Sequence, residues 1–295
     1  MFRDPDMSIQ PSTGAPESPT LVRSGSPEGP EGVTVELVSV WRCPVKSLQG
    51  EPLESARVAD DGLLGDRRWG IRDLHTGRIL TARRRPELLR AAASDDDGLP
   101  LITLPDGRVA RGPGKDTDRM LSEWLQNSVT LAASVSSDPG RAEFFADATD
   151  DTSQAIEWTM PASRFVDAAP LLVLTTASLR AGESLHPDGD WDPRRFRPNL
   201  LLDLDGEGWV EDAWVGQRLQ VGTATLAPVE RCVRCTMVTR PQPGLEADVD
   251  VFRTLARHHG ARFGVWTEVL TPGRLSVGDH ASLGSDGSSA DPPLS

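Results

Sequence analysis

At 295 residues, with 38% apolar side chains, the chain can bury one large core or two modest ones. Its formal net charge of −13 argues against general affinity for nucleic acid, which needs a dense cationic face. Cys43, Cys232 and Cys235 are too few for a disulfide framework, and no apolar run of about 18 residues offers a membrane span.

Residues 1–32 are rich in Ser, Pro, Gly and Glu and cannot bury enough surface to offset their ordering entropy, so a disordered tail is expected. They also lack the apolar core of a secretory signal, which makes a reducing cytoplasm the expected location. From Val33 to Trp41, apolar residues alternate with Thr34 and Glu36, the period of a half-buried strand. Arg68–Ile71, Arg78–Thr81 and Leu101–Leu104 read as further strands beside turn residues. Asp116 to Gln126 places Met120, Leu121, Trp124 and Leu125 at helical spacing behind an Asp-Thr-Asp start suited to capping. Leu171–Thr175 reads as a buried strand and Ala177–Leu185 as a helix. Strands follow over Leu200–Leu202, Arg218–Val221, Ala224–Val229 and Phe263–Leu270, with a helix over Val249–His258. Residues 285–295 return to tail composition. Many short strands, few helices and no βαβ rhythm predict an α+β, mostly β, barrel-rich architecture. A loose division falls near residues 150–165, with both halves able to share one site.

The segment Glu230-Arg231-Cys232-Val233-Arg234-Cys235-Thr236 carries the chemistry. A C-x-x-C pair serves a zinc knuckle, a dithiol redox centre, or a single soft thiolate for a metal. Zinc lacks a second ligand pair of typical spacing, although His258 and His259 stand downstream. A redox pair usually opens a helix, whereas Thr236-Met237-Val238-Thr239 is strand-like here. The alternatives stay open on spacing alone. Cys43 and Cys232 read as small buried hydrophobes. The histidines form no triad pattern, Glu211-Asp212 reads as a solvated turn, and no phosphate-loop or dinucleotide fingerprint is present. Lysine occurs only as Lys46 and Lys115.

Read together with Phe196-Arg197-Pro198-Asn199 and Cys43-Pro44-Val45-Lys46-Ser47, this segment resembles the MOSC family. The nearer resemblance is to its branch containing the mitochondrial amidoxime-reducing component and bacterial relatives. Gly65-Asp66-Arg67-Arg68-Trp69, Leu80-Thr81-Ala82-Arg83, Thr176-Ala177-Ser178-Leu179, Glu211-Asp212-Ala213-Trp214 and Arg262-Phe263-Gly264 extend it, in family order, over residues 33–284. The resemblance implies an N-terminal β-barrel region over 33–150 and a MOSC domain over 151–284. It implies a molybdenum cofactor, Mo-molybdopterin, with Cys235 as metal ligand and catalytic residue. Lys46, Ser47, Arg67, Thr176, Ser178, Arg197, Asn199, Arg234 and Trp266 are the implied cofactor contacts. A dithiolene bearing a phosphate suits this set, because arginine offers planar charged donors and lysine a point cation. The implied activity is reduction of N-hydroxylated small molecules with electrons from an external electron-transfer protein, for which Arg83-Arg84-Arg85 is a candidate docking patch. The alternative is a non-catalytic cofactor carrier or sulfur-handling module. The reductase branch often carries Thr-Thr-Val-Asp where this chain has Val238-Thr239-Arg240-Pro241, a departure that bears on substrate handling.

Overall fold

The computed structural model describes residues 35–147, 150 and 152–284. The expected tails, and Val33 and Thr34 of the first expected strand, lie outside the described residues. Seven strands close into a barrel. Around it run Val35–Arg42, Leu200–Asp203, Leu171–Thr175, Arg262–Thr271, Ala224–Val233, Arg218–Val221 and His280–Gly284, the last pairing back onto the first. Closure removes exposed edges, which is how an all-β layer avoids unpaired backbone groups. All of these pairings are antiparallel except Leu171–Thr175 with Leu200–Asp203. That parallel step needs a crossover, which the helix Thr176–Leu185 supplies. One such unit is therefore present where the sequence suggested none.

Leu37, Val40, Val173, Leu202, Val221, Leu226 and Val265 pack into the core of the barrel. A second core gathers Val45, Ile71, Leu88, Leu89 and Ile102 with Leu121 and Leu125 of the helix Lys115–Leu125. The expected Asp-Thr-Asp cap does not form: Gly114 is the N-cap, and Asp118 instead accepts from Thr130 Oγ1 and Leu131 N. The helix Val249–His259 is capped by Asp248, which accepts from Asp250 N and Val251 N, and it stops at Gly260 in left-handed conformation.

Two further sequence expectations are corrected. Arg78–Thr81 forms only an isolated bridge between Arg72 and Ile79, because the chain turns away at Thr81, whose carbonyl accepts from Arg84 and Arg85. Thr236–Thr239 is a 3-10 turn and not a strand; Arg234 N donates to Ala261 O, and the ladder with Arg262–Thr271 ends at Val233. No helix among the described residues is long and apolar enough to cross a membrane.

Candidate cofactor and active site

A cavity of about 460 Å³ opens where the barrel meets the segments before and after residue 160. Lys46, Ser47, Arg67, Arg197, Asn199, Arg234, Cys235 and Trp266 all line it. These residues come from chain positions more than 200 residues apart, so the fold assembles the group.

Lys46 and Ser47 follow the first barrel strand after Cys43-Pro44, and Lys46 N donates to Trp69 O. The Lys46 ammonium is buried and donates to Phe165 O at 2.9 Å and to Asp167 Oδ1 at 2.6 Å. Burial pushes its pKa down, with Asp167 opposing. Asp167 also binds Arg83, Nη2 to Oδ2, at 2.5 Å. Burial would raise the Asp167 carboxyl, but the Arg83 and Lys46 charges overcome that and hold it well below the usual carboxylate range. The Arg83 guanidinium lies 4.1 Å from the Phe144 ring centroid; burial works against its charge, and the Asp167 carboxylate outweighs that. Arg83 therefore belongs to the cavity wall.

Its two neighbours are committed elsewhere. Arg84 stands 3.4 Å from Glu143, and Arg85 binds Glu87 and Leu125 O. The expected docking patch Arg83-Arg84-Arg85 does not exist as one cationic surface. Three consecutive side chains in this turn point to three different partners.

Elsewhere in the lining, Arg67 Nη1 donates to the fully buried Asp66 at 2.5 Å and to Asn199 Oδ1 at 3.1 Å. Asn199 in turn receives Leu172 N and donates to Trp41 O, which ties two barrel strands to the site. Arg234 donates to Phe196 O at 2.7 Å and to Cys232 Sγ at 3.0 Å, while its buried Nε has no partner. Cys232 is thus more than a buried hydrophobe: it lines the cavity and accepts a charged hydrogen bond. Burial pushes its thiol pKa up, against the Arg234 charge. Cys43 is buried outside the lining. Cys235 is partly exposed and caps the 3-10 turn Thr236–Thr239.

Three lining residues hold left-handed backbone: Ser47 at φ 70, Arg67 at φ 48 and Arg197 at φ 58. Such conformations cost non-glycine residues free energy and persist where surrounding contacts over-determine them. The Arg197 guanidinium itself makes no hydrogen bond or ion pair among the described residues. Its backbone is held, by Arg197 N to Pro193 O and Arg67 Nη2 to Arg197 O, while its charge is left available.

A model of the MOSC domain matches residues 161–282, and one of the MOSC N-terminal beta barrel domain matches residues 34–151. This chain belongs to the MOSC family. A molybdenum cofactor sulfurase from Oryza sativa subsp. japonica is 25% identical over 243 residues, covering 70% of this chain and 28% of that protein. The MOSC chain thus spans less than a third of that relative's length. Among solved structures, the YUAD protein from Bacillus subtilis is 12% identical at a TM-score of 0.43, covering 85% of this chain and 95% of that one. YiiM from Geobacillus stearothermophilus is 16% identical at a TM-score of 0.32, covering 40% of this chain and 56% of that one.

The donor set of this MOSC chain fits a pterin dithiolene that carries a phosphate and a thiolate-bound metal. Arg234, whose buried Nε has no partner, Arg197, whose guanidinium makes no hydrogen bond or ion pair among the described residues, and the partly exposed Cys235 all line one cavity. Ser47 Oγ accepts from Ala82 N, which leaves its proton for a ligand. No group of three or more His, Cys, Asp or Glu side chains suited to holding a metal occurs among the described residues.

Two resemblance-implied contacts do not reach the cavity. Thr176 Oγ1 donates to Asp203, and Ser178 Oγ donates to Glu211 Oε2 at 2.6 Å. The helix start consumes both hydroxyls. Glu211, expected on a solvated turn, is buried and also accepts from Thr175 Oγ1 at 2.6 Å; burial raises its carboxyl pKa. Its neighbour Asp212 pairs with His259 Nε2 at 2.7 Å. Pro241, the departure from the reductase branch, is exposed and outside the lining.

Sequence reasoning missed Asp167, Arg83 as a wall residue, and the aromatic trio Phe144, Phe145 and Trp158. Arg83 closes the motif Leu80-Thr81-Ala82-Arg83, Phe144-Phe145 and Trp158 stand out as aromatic residues in otherwise polar surroundings, and Asp167 carries no local signal.

Proposed function

We propose that this chain binds a molybdenum cofactor of the molybdopterin type and reduces N-hydroxylated small molecules, with electrons from a separate redox protein. The observation that carries the reading is the Cys235 thiol in a cavity walled by Lys46, Arg67, Arg83, Arg197 and Arg234. Membership in the MOSC family and the molybdenum cofactor sulfurase relative support a cofactor-associated role. The bound group would supply two-electron redox chemistry at the metal.

The residues divide the remaining work. Cys235 would hold the metal as thiolate. Arg197 Nη and Ser47 Oγ would donate to the anionic part of the cofactor, with the Arg234 charge beside them. Asp167 keeps Lys46 and Arg83 fixed and partly neutralised, so that an overall acidic chain presents a bounded cationic wall. Asn199 and Asp66 set the Arg67 guanidinium. Three free cysteines suit a reducing cytoplasm.

A cofactor carrier or sulfur-handling module is the second reading. Cys232 favours it, as a second thiol in the same cavity. Purified protein containing molybdenum, given an artificial electron donor and an N-hydroxylated substrate, separates the two. Amine or amidine product supports the reductase; metal retention without product supports the carrier.

A further inference from the structure

The strands Arg141–Phe145 and Ala155–Thr159 pair as a two-stranded antiparallel hairpin separate from the barrel. Cross-strand partners share a face, and so do alternate residues along each strand. One face therefore carries Arg141, Glu143, Glu157 and Thr159. Its charges are already matched: Arg78 binds both Glu143 and Glu157, and Arg141 binds Glu157. The other face carries Ala142, Phe144, Ile156 and Trp158. Its root is covered, since Ala142 packs with Ile79, Met160 and Phe165. Trp158, opposite Ala142 on the partner strand, is nonetheless 45% exposed, and Ile156, opposite Phe144 and nearer the turn, is 43% exposed.

Phe144 and Trp158 line the cavity, with ring centroids 6.1 Å apart and planes tilted by 55°. One side of Phe144 is taken by the Arg83 guanidinium. An exposure gradient separates two regions of the cavity. Lys46 and Arg234 are each 7% exposed and Asn199 is 1% exposed, so these three side chains form a buried floor. Trp158 sits at the mouth. A tightly held anionic ligand belongs at the floor, and a ligand that comes and goes belongs at the mouth.

We propose that Phe144 and Trp158 form a specificity wall for the exchangeable substrate, selecting compounds that carry a flat, uncharged aromatic group beside the reacting nitrogen. The inference rests on the reductase reading for the identity of the reacting head, and on the hairpin geometry for the aromatic part. Ring-on-ring contact with Trp158 holds the aromatic group at the mouth and leaves the N-hydroxyl end to extend inward past Arg83 towards Cys235. Ile156 prolongs the same apolar surface outward, so a substituent on the aromatic ring is accommodated better if it is apolar.

The test uses the full chain loaded with molybdenum cofactor, as wild type, Trp158→Ala and Trp158→Phe. Calorimetry measures binding of an aryl N-hydroxyamidine, its aryl amidine product and the methyl N-hydroxyamidine; KM and kcat follow for the two N-hydroxy compounds. The expected result is a three- to tenfold weaker binding of both aryl ligands to Trp158→Ala, the range set by aromatic pair contacts. The methyl compound should be unaffected, and Trp158→Phe should recover most of the aryl affinity. For the aryl compound the loss should appear in KM more than in kcat. Equal weakening of aryl and methyl ligands, no change in either, or loss of bound molybdenum from Trp158→Ala would each overturn the wall as a substrate-selecting surface. Binding without turnover of any N-hydroxy compound would instead overturn the reductase reading and leave the aromatic wall standing.

Discussion

Lys46 Nζ lies 2.6 Å from Asp167 Oδ1, across 121 residues of chain, and the same carboxylate holds Arg83 through its other oxygen. One acidic side chain thereby fixes two cations that would otherwise repel each other inside a cavity. Removing it should loosen the wall. Asp167→Asn is expected to lower stability by about 1–2 kcal/mol, the lower part of the range for charge-assisted hydrogen bonds because the carboxylate is a third exposed. The effect should depend on pH in a defined sense. The Asp167 carboxyl is held below its unfolded value, so its contribution is fully present above about pH 4 and fades as pH falls through the depressed folded value. Melting temperatures of wild type and variant should differ at pH 7 and converge towards pH 2. A gap independent of pH would show that Asp167 acts by packing alone.

Arg197 and Asn199 stand two residues apart and should behave oppositely. The Arg197 guanidinium makes no hydrogen bond or ion pair among the described residues, so Arg197→Ala should leave the melting temperature of cofactor-free protein within about 2 °C of wild type. Cofactor retention should fall about tenfold or more, on the strength of one charged contact. Asn199 links Trp41, Leu172 and Arg67, so Asn199→Ala should destabilise the cofactor-free protein itself. Unaltered cofactor retention in Arg197→Ala, Lys46→Ala and Arg67→Ala alike would remove the case for this pocket.

The two cavity thiols are separable. Cys235→Ser should abolish molybdenum binding and activity. Cys232→Ser keeps an acceptor for Arg234 Nη1 and should retain most of the metal. Metal analysis of both variants decides, and equal loss from both would favour a dithiol or zinc site.

Gly264 is a fold prediction. It holds φ +77 within the strand Arg262–Thr271, where a Cβ would lie 2.8 Å from Val173 O. Both the left-handed backbone and the close approach require glycine. Gly264→Ala should cost about 1–3 kcal/mol in denaturant unfolding, and a cost below about 0.5 kcal/mol would contradict this placement.

Electron supply gives a further check. With no nicotinamide or flavin fingerprint in the sequence, cofactor-loaded protein mixed with NADH or NADPH and an N-hydroxylated substrate should not turn over without a second protein. Sustained turnover in that mixture would refute the need for an external donor. Because Arg83 is sequestered in the cavity, Arg83→Ala should change cofactor retention more than it changes the salt dependence of partner-driven turnover.

The sequence alone determined the barrel class and named most of the residues that one cavity gathers. Alternating runs such as Leu219 and Val221, or the buried run Leu171–Thr175, state their strand character locally, since side-chain period follows from the backbone itself. Cys235, Lys46, Arg67, Arg197 and Arg234 were legible because each sits in a short motif of unusual residue types. Tertiary structure decided the rest. Asp167 lies in a plain Val-Asp-Ala segment, and its role arises from partners 84 and 121 residues away. Arg83, Arg84 and Arg85 look like one patch in the sequence, yet a turn sends them to separate partners. Thr176 and Ser178 have the right hydroxyls, but Asp203 and the buried Glu211 claim them first. Periodicity and motif spacing report on neighbours along the chain. Which charge meets which, and which hydroxyl remains free, depends on contacts that exist only once the barrel has closed.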